Sequence, residues 1–354
     1  MTNSSRSLAT WIVAVASPLV ASVLFYVASD PFCVLHRKLY AAEHPVAINR
    51  DYASTQLYLE QQGQHDYDSI VFGNSRSTAF RCSEWLAAMG RPGQRCFHFD
   101  AWKESLFGLA AKVRLVDELG HSLRDVLVVV DGSLLAGVLP GTDPAFRNHP
   151  RLVGQGWFGF EADYLTDFFS NHFCLKYVDY ALFGKVRGYM GAAFDARAFT
   201  HLPDSNDVLF SAAELRIARE GEAYWRARPN VFVARKGGVS PITVLGEQRR
   251  LLEEIRSVLE RHGTRARIVV APLYDEIRMN PSDLQTLRAI FGSDSVADYS
   301  GDNPLTEQVQ NYYEASHFRP EVARKILSDV YGRSAARDLS AHATDSTPGR
   351  GGRL

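Results

Sequence analysis

A short polar motif, Gly73-Asn74-Ser75-Arg76-Ser77, directly follows the apolar run at residues 69–72. The run predicts a short buried strand, and Gly73 permits a tight turn after it. A helix expected to begin near Ser75 places the hydroxyl and backbone N–H of this serine at a positive helix end. Those groups suit a nucleophile and an oxyanion donor, although Asn or Ser at this place more often only caps a helix.

A second motif near the end of the chain, Glu314-Ala315-Ser316-His317-Phe318-Arg319-Pro320, has a histidine three residues after a carboxylate. One turn of chain then presents both groups together, so Glu314 can orient the His317 imidazole and stabilise its protonated form. A lone loop histidine is usually a surface or packing residue. A strand-end Gly-Asn-Ser together with a later carboxylate-x-x-His favours nucleophilic catalysis.

Three more polar residues are candidates for the lining of the same pocket. Asn74 and Arg76 adjoin Ser75, and Asp131 follows the apolar run at residues 126–130. Arg76 suits the binding of an anionic group or pairing with a carboxylate, and a solvated arginine on a helix surface is an equal alternative. Asp131 suits the pocket or a simple loop cap.

The composition excludes several classes of function. The chain has 354 residues with 39 basic and 40 acidic side chains, a net charge of −1. This balance argues against nucleic acid as a partner, because phosphate-binding proteins show a basic excess. The 11 histidines lack paired helical spacing, so no metal site is expected. A glycine-rich phosphate loop is also absent from the sequence, and we expect no cofactor.

Apolar runs and amphipathic segments alternate along much of the chain. Strands are predicted at residues 69–72, 95–99, 126–130, 267–271 and 295–298, and helices at 51–62, 104–119, 246–261, 281–291 and from Pro320 to about residue 331. Continuous apolar strands are typical of parallel sheets that are buried on both faces. The alternation therefore predicts a three-layer α/β domain with a parallel sheet.

Two segments depart from this alternation. Residues 134–240 are rich in aromatic residues and glycine, and we interpret them as an insertion beside the carboxyl ends of the strands, where α/β proteins bind ligands. The insertion can form a cover over the site or a surface for a membrane or partner, but its aromatic residues most often simply pack a small core. Residues 333–354 contain few apolar residues and predict a disordered tail.

The N-terminal segment at residues 8–28 is largely apolar and carries no charge. A helix of 21 residues rises about 30 Å, the thickness of the hydrocarbon core of a bilayer. We therefore predict an uncleaved transmembrane anchor at 8–28, followed by a juxtamembrane segment at 30–67. A cleaved signal peptide is the alternative, because Val27-Ala28-Ser29 is compatible with a cleavage site. Basic residues on both sides leave the orientation undecided.

The two polar motifs, in this order, resemble the first and last sequence blocks of the SGNH hydrolases, also called GDSL esterases. The context Tyr67-Asp68-Ser69-Ile70-Val71-Phe72-Gly73-Asn74-Ser75-Arg76 behind one apolar segment is similar to one subset of that superfamily. The run Ser316-His317-Phe318-Arg319-Pro320 fits the same subset. These are membrane-anchored SGNH-like proteins associated with O-acetylation of bacterial exopolysaccharides and envelope polymers. The resemblance covers about residues 8–332 and implies a flavodoxin-like three-layer domain over 68–332.

The resemblance implies that Ser75 is the nucleophile, His317 the general base and Glu314 the acid that orients it. Ser75, Asn74, Arg76 and Asp131 are then the candidates for the oxyanion site and pocket. Three departures stand out: Glu314 replaces the usual Asp, the second-block Gly is missing near residues 104–105, and the third-block Asn is missing near 130–133.

The resemblance also implies a location and a substrate class. The catalytic domain would lie in the periplasm, held by a single pass through the inner membrane. It would transfer or hydrolyse acyl esters on a polysaccharide through an acyl-serine intermediate, with a multispanning membrane acyltransferase as partner. A non-catalytic glycan-binding or scaffold subunit is the alternative, and the missing second- and third-block residues favour it.

Four cysteines, at positions 33, 82, 96 and 174, are too few for a disulfide scaffold and lack zinc-site spacing. Cys82 and Cys96 bracket the helix expected after Ser75. An exported domain, which the resemblance implies, permits a disulfide between them. Two buried free thiols are a nearly equal alternative.

Overall fold

The computed structural model describes residues 3–37, 39–40, 44–191, 193–194 and 199–344. The chain divides into two compact units. The first comprises Met1–Gln56 and Pro140–Ala198, and the second comprises Leu57–Leu139 and Phe199–Leu354. The helices are α1 (Asn3–Ser29), α2 (Arg50–His65), α3 (Cys82–Ala88), α4 (Leu106–Glu118), α5 (Gly132–Ala136), α6 (Pro150–Val153), α7 (Trp157–Phe169), α8 (Phe173–Phe183), α9 (Ser211–Glu220), α10 (Ala223–Arg226), α11 (Gly246–Arg261), α12 (Pro281–Phe291) and α13 (Pro320–Thr344).

The second unit is built on a five-stranded parallel sheet. Its strands are β1 (Ser69–Gly73), β2 (Cys96–Asp100), β3 (Asp125–Val130), β4 (Arg265–Val270) and β5 (Val296–Asp298). Helices flank the sheet, so the predicted α/β fold with a parallel sheet is confirmed. Each strand begins and ends within two residues of its predicted bounds. The first three strands are buried along their whole length, and the last three residues of β4 are buried as well.

The strand order β2-β1-β3-β4-β5 determines where a ligand site can form. It is the 2-1-3-4-5 order of flavodoxin-like sheets, in which the order reverses between the first and third strands. At such a point the connections leave toward opposite faces, and a crevice opens outside the carboxyl ends of the strands. Gly73 at the end of β1 lies opposite Val129 of β3. The residues that follow these two strands, Asn74 and Asp131, therefore lie at the crevice.

One face of the sheet packs against α3 and α13. Val71, Leu127, Val129 and Val269 lie in one buried cluster with Trp85 of α3 and with Val322, Ala323 and Ile326 of α13. Helices α4 and α11 pack beside each other, and α12 packs against α11. Side chains alternate between the faces of a strand, and both sets are buried here, which agrees with three layers.

The predicted insertion at 134–240 is divided between the two units. In the first unit its aromatic residues share one core with residues of the N-terminal segment. This core contains Tyr26, Phe32, Tyr52, Phe160, Tyr164, Phe168, Phe173 and Tyr177. Other apolar side chains of α7 and α8 remain exposed, Phe158 by 93% and Leu182 by 72%. Core packing therefore accounts for many of the aromatic residues, but the core is not formed by the insertion alone.

Helix α1 contains Pro18 and covers the segment for which an anchor was predicted. Among the helices of the described residues, none combines the length and apolar character needed to cross a membrane. The structure thus gives no support to the transmembrane span predicted at 8–28.

Helix α13 is longer than predicted. It continues beyond residue 331 to Thr344, so residues 333–344 have helical backbone where we expected a disordered tail. This stretch contains several alanines together with Arg and Leu, which are favourable helix formers even without an apolar face. Residues 345–354 of the predicted tail lie outside the described residues.

Candidate active site

The loop that carries the predicted nucleophile begins where β1 ends, in the second unit. Glycine is needed at Gly73, because a Cβ there would lie 2.7 Å from the Cβ of Ser77 and 2.9 Å from a backbone carbonyl oxygen of β3. The chain then forms a short 3₁₀ helix, Ser75–Ala79, which the Asn74 side chain caps by accepting a backbone N–H at 3.0 Å. The cap is therefore Asn74, and the Ser75 hydroxyl has a different partner.

That partner is His317, whose Nε2 lies 2.8 Å from the Ser75 Oγ. The other ring nitrogen, Nδ1, forms a hydrogen bond with Glu314 Oε1. The second carboxylate oxygen, Glu314 Oε2, accepts the backbone N–H of Ser316 at 2.7 Å. An ionised carboxylate only accepts hydrogen bonds, so the Nδ1 of a neutral ring carries its proton. Nε2 is then left to accept the proton of the Ser75 hydroxyl.

A tight hairpin, rather than a helical turn, presents the histidine and its carboxylate. The strands Tyr312–Glu314 and His317–Phe318 are antiparallel, and Glu314 is paired with His317. Cross-strand neighbours lie close enough for their side chains to meet. The longer Glu side chain, which replaces the usual Asp, reaches Nδ1 with one oxygen while the other is held by the turn.

A group of residues that the sequence did not reveal supports this hairpin. Glu214 of α9 accepts hydrogen bonds from Arg319 Nη2 at 2.6 Å and from the Tyr313 hydroxyl. Burial of Glu214 acts to raise its pKa, but the bonds from Arg319 and Tyr313 outweigh burial and the pKa is lowered. The ring of Phe210 lies 5.4 Å from the His317 ring, centroid to centroid. Glu214 and Phe210 come from the predicted insertion, and no short spacing links them to the two motifs.

Helix α10 and its following turn hold the backbone of the same hairpin. Tyr224 donates its hydroxyl to the Tyr313 carbonyl at 2.9 Å, and the Trp225 indole donates to the Tyr312 carbonyl at 2.9 Å. Arg228 adds a bond to the Tyr313 carbonyl at 3.2 Å. The position of His317 is therefore fixed from both sides of the hairpin.

Asp131 joins the loop after β3 to the loop after β1. Its Oδ2 accepts from the Asn74 side chain at 2.6 Å and from Arg76 Nη1 at 2.7 Å, and its Oδ1 caps α5 through the Ser133 and Leu134 N–H groups. Burial would raise the pKa of Asp131, but the Arg76 charge and these hydrogen bonds outweigh burial and lower it. Asp131 is therefore a cap, one of the two roles that the sequence left open, and it also links the two loops.

Arg76 also bridges the two sides of the crevice. Its Nε donates to the Ser316 carbonyl at 3.1 Å, and its Nη1 reaches both Asp131 and the Ser133 hydroxyl at 3.2 Å. The Arg76 side chain is only partly exposed, at 20%. Its Nη2 forms no hydrogen bond to the residues that the structure describes. Arg76 is thus a paired arginine beside the predicted nucleophile with donor capacity left for a ligand.

Two buried carboxylates, Glu104 and Asp131, lie near the positions where the resemblance predicted missing donors, and carboxylates only accept hydrogen bonds. Glu104 pairs with Lys112 and accepts the Ser105 N–H at 3.0 Å. Asp131 accepts from Asn74 and Arg76. The oxyanion donors that the nucleophile loop offers are the Ser75 N–H and the free side of the Arg76 guanidinium.

Cys82 and Cys96 are joined in a disulfide with an S–S distance of 2.04 Å. It links the start of α3 to the start of β2, and both elements adjoin the nucleophile loop. Cys33 and Cys174 are free thiols.

Within the described part of the chain, no group of His, Cys, Asp and Glu side chains could hold a metal ion. A comparison with known protein families finds no family model that matches this chain. A comparison with curated proteins likewise finds no similar sequence.

Proposed function

We propose that this chain is an SGNH-like serine enzyme that forms an acyl intermediate on Ser75. The observation that carries the proposal is the hydrogen-bonded series Ser75–His317–Glu314, with Ser75 Oγ 2.8 Å from His317 Nε2. The series lies at the carboxyl edge of a parallel sheet, where its order reverses. Two segments 239 residues apart meet there in the roles of nucleophile, base and orienting acid.

The reaction follows from these roles. Ser75 Oγ attacks the carbonyl carbon of an acyl ester, its proton passes to His317 Nε2, and the carbonyl electron pair moves onto oxygen. When the C=O bond re-forms, the bond to the alcohol breaks and the alcohol oxygen takes the proton from Nε2. Acyl-Ser75 remains. A sugar hydroxyl or water then attacks the acyl carbon with His317 again as base, which gives O-acyl transfer or hydrolysis.

Two groups of the same site stabilise charge during these steps. Glu314 holds the Nδ1 proton and lowers the cost of the imidazolium that forms at His317. The Ser75 N–H, at the first turn of the 3₁₀ helix, is placed to donate to the oxyanion of the tetrahedral intermediate. Phe210 covers part of the His317 ring and limits its contact with water.

The substrate class and location rest on the resemblance of the two motifs. We propose an O-acyltransferase or acyl esterase that acts on a bacterial exopolysaccharide in the periplasm, anchored in the inner membrane and supplied by a multispanning acyltransferase. The test of location is a pair of reporters fused near residue 332. A reporter active only in the periplasm should work, and activity of one restricted to the cytoplasm would contradict this location.

The test of the chemistry uses the purified full chain with 4-nitrophenyl acetate and a fluorophosphonate probe. Ser75→Ala and His317→Ala should each lower kcat by about 10³-fold or more, and the two losses should not add because the groups act as a unit. Ser75→Ala should also abolish labelling by the probe. Ser282→Ala, an exposed serine at the start of α12, is the matched control and should retain wild-type turnover.

The same variants in cells separate the enzyme from its alternative. The polymer should lose acetyl groups in both the Ser75→Ala and His317→Ala strains. Wild-type polymer acetylation in both strains would contradict an enzyme. If deletion of the gene then still abolished the polymer, a non-catalytic scaffold subunit would take its place. The observation that favours such a subunit is the lack of the second-block Gly near residues 104–105 and of the third-block Asn near residues 130–133, which the hydrolases that the motifs resemble contain.

A further inference from the structure

A second serine–histidine–aspartate series lies buried beneath the nucleophile loop. The Ser77 Oγ is 2.9 Å from His98 Nε2, and His98 Nδ1 is 2.9 Å from Asp207 Oδ1. The exposed fractions are 0% for Ser77, 0% for His98 and 2% for Asp207. No substrate can reach side chains that are buried to this degree, so Ser77 is not a second nucleophile.

The acid end of this series is firmly held. Asp207 accepts the Ser205 hydroxyl at 2.8 Å and the Cys82 N–H at 3.2 Å. The backbone of His98 is bonded to the same loop, since its N–H donates to the Ser205 carbonyl at 2.8 Å and its carbonyl accepts the Asn206 side chain at 2.7 Å. The Asp207 carboxylate therefore acts as an acceptor toward each of these groups.

The hydrogen-bond inventory gives the series a direction. The Ser77 hydroxyl has one proton, and it donates that proton to the Asn74 carbonyl at 2.7 Å. The hydroxyl oxygen can therefore only accept from His98, which places a proton on Nε2. Asp207 faces Nδ1 and accepts there. His98 then donates from both ring nitrogens, to Asp207 at Nδ1 and to Ser77 at Nε2. The two bonds on the serine side point from the histidine toward the Asn74 carbonyl, and such bonds polarise one another.

The peptide group at the end of the series is the one that carries the oxyanion donor. The Asn74 carbonyl accepts twice, from the Ser77 hydroxyl at 2.7 Å and from the Ser77 N–H at 2.9 Å. The opposite end of that same planar peptide is the Ser75 N–H. Donation to the carbonyl therefore fixes the plane in which this N–H points and makes the N–H a stronger donor.

We infer that Ser77, His98 and Asp207 are positioning residues that orient and polarise the Ser75 N–H as the oxyanion donor. The inference rests on the proposed function, in which Ser75 is acylated. It assigns a role to a buried ionic group that the chemistry itself does not use. A preorganised donor stabilises the oxyanion without reorganisation during the reaction.

The size of the effect follows from what the series does. Loss of a whole oxyanion donor lowers the rate by about 10²–10³. In Ser77→Ala the donor remains but loses one of two bonds that hold its peptide, so we expect kcat to fall by about 10- to 100-fold. KM should stay within about twofold, because the donor acts on the transition state rather than on the bound ester.

The same turn offers a matched control. Thr78 donates its hydroxyl to the Ser75 carbonyl at 2.7 Å, which belongs to the next peptide and not to the one with the Ser75 N–H. Thr78→Val removes an equivalent side-chain bond from the same 3₁₀ helix. A purely structural role of such bonds predicts equal losses in Ser77→Ala and Thr78→Val. The inference predicts that kcat falls by about 10- to 100-fold in Ser77→Ala. In Thr78→Val kcat should fall by less than about threefold.

The experiment measures the burst and steady-state hydrolysis of 4-nitrophenyl acetate by the full chain, with thermal melting to confirm folding. His98→Gln should lower kcat like Ser77→Ala. Asp207→Asn keeps an acceptor for Nδ1 and should lower kcat less. Nitrogen-15 NMR of the His98 ring, assigned by its loss in His98→Gln, supplies a readout independent of activity and should show a protonated Nε2.

The outcomes are distinct. If the wild-type chain is not acylated at Ser75, the proposed function fails and the inference with it. If wild-type turnover is normal and Ser77→Ala matches either wild type or Thr78→Val, only the inference is overturned. An unprotonated Nε2 at His98 overturns it as well, even where Ser77→Ala does not fold.

Discussion

Replacement of Glu314 by glutamine tests the role of the carboxylate in the proposed Ser75–His317–Glu314 series. The carboxylate forms hydrogen bonds with His317 Nδ1 and, at 2.7 Å, with the Ser316 N–H. Both partners are donors when the ring has the productive tautomer. A glutamine has one oxygen and one NH₂ group, so it can accept from only one of them. The glutamine must therefore either lose the hydrogen bond from the Ser316 N–H or place its own N–H group against His317 Nδ1.

Both outcomes lower the rate, by different amounts. With the amide oxygen on Nδ1 the ring keeps its orientation but loses the charge that stabilises the imidazolium. With the amide N–H on Nδ1 the proton moves to Nε2, which then cannot accept from Ser75. Loss of the acid in serine triads costs up to about 10⁴ in kcat. Glu314 is one-third exposed, at 32%, so water screens part of its charge and we expect a loss of about 10²–10³.

The assay is steady-state hydrolysis of 4-nitrophenyl acetate by the full chain. Asp117→Asn is the matched control. Asp117, in the last turn of α4, contacts His262 Nε2 at 2.9 Å directly after α11, and this pair is remote from Ser75. Asp117→Asn should leave kcat unchanged. The melting temperature of the Glu314→Gln protein should also stay near wild type, since an exposed ion pair contributes about 0–1 kcal/mol. A Glu314→Gln enzyme with kcat within threefold of wild type would refute the role assigned to the carboxylate.

Three further predictions concern the surroundings of the site. Replacement of both Cys82 and Cys96 by serine should lower the free energy of unfolding by about 3 kcal/mol, as expected for a disulfide that closes a loop of about 15 residues. Equal urea midpoints of the wild-type protein with and without reductant would contradict this prediction. Asp131→Asn should lower the free energy of unfolding by about 2 kcal/mol at pH 7. The folded-state pKa of Asp131 is lowered, so the stability difference between wild type and Asp131→Asn should be complete above about pH 4 and shrink as the pH falls through that pKa. A stability difference that does not change with pH would exclude a contribution of the Asp131–Arg76 ion pair. Arg76→Met keeps the apolar stem but removes all five donors, so kcat should fall about tenfold or more, and unchanged turnover would remove Arg76 from the pocket.

The sheet and the three central site residues could be predicted because their signals are local. Each strand is one apolar run, and each motif lies within seven residues of chain. Ser75 and His317 were identified from such short patterns, and the parallel topology explains why the ends of their segments meet. The predicted helices at 246–261 and 281–291 agree with the structure for the same reason, since their apolar positions repeat at helical spacing.

The supporting residues could not be predicted because their partners are distant in the chain. Asp207 is 109 residues from His98, and Glu214 is 105 residues from Arg319. No periodicity relates positions so far apart, and only the folded chain brings them together. The last helix shows a different limit, because its predicted end lies near residue 331 while α13 runs to Thr344.

The buried Asp131 carboxylate affects how the loop after β1 can bind negative charge. A carboxylate only accepts hydrogen bonds, and its charge opposes an oxyanion. The structure compensates that charge with Arg76, which lies 2.7 Å from it and is also bonded to the hairpin of His317. The pair leaves one side of a guanidinium available next to Ser75. The donors available to an acyl oxyanion then come from two adjacent residues of one loop, Ser75 and Arg76. We infer that the orientation of the Ser75 N–H depends on the buried hydrogen bonds of Ser77, His98 and Asp207.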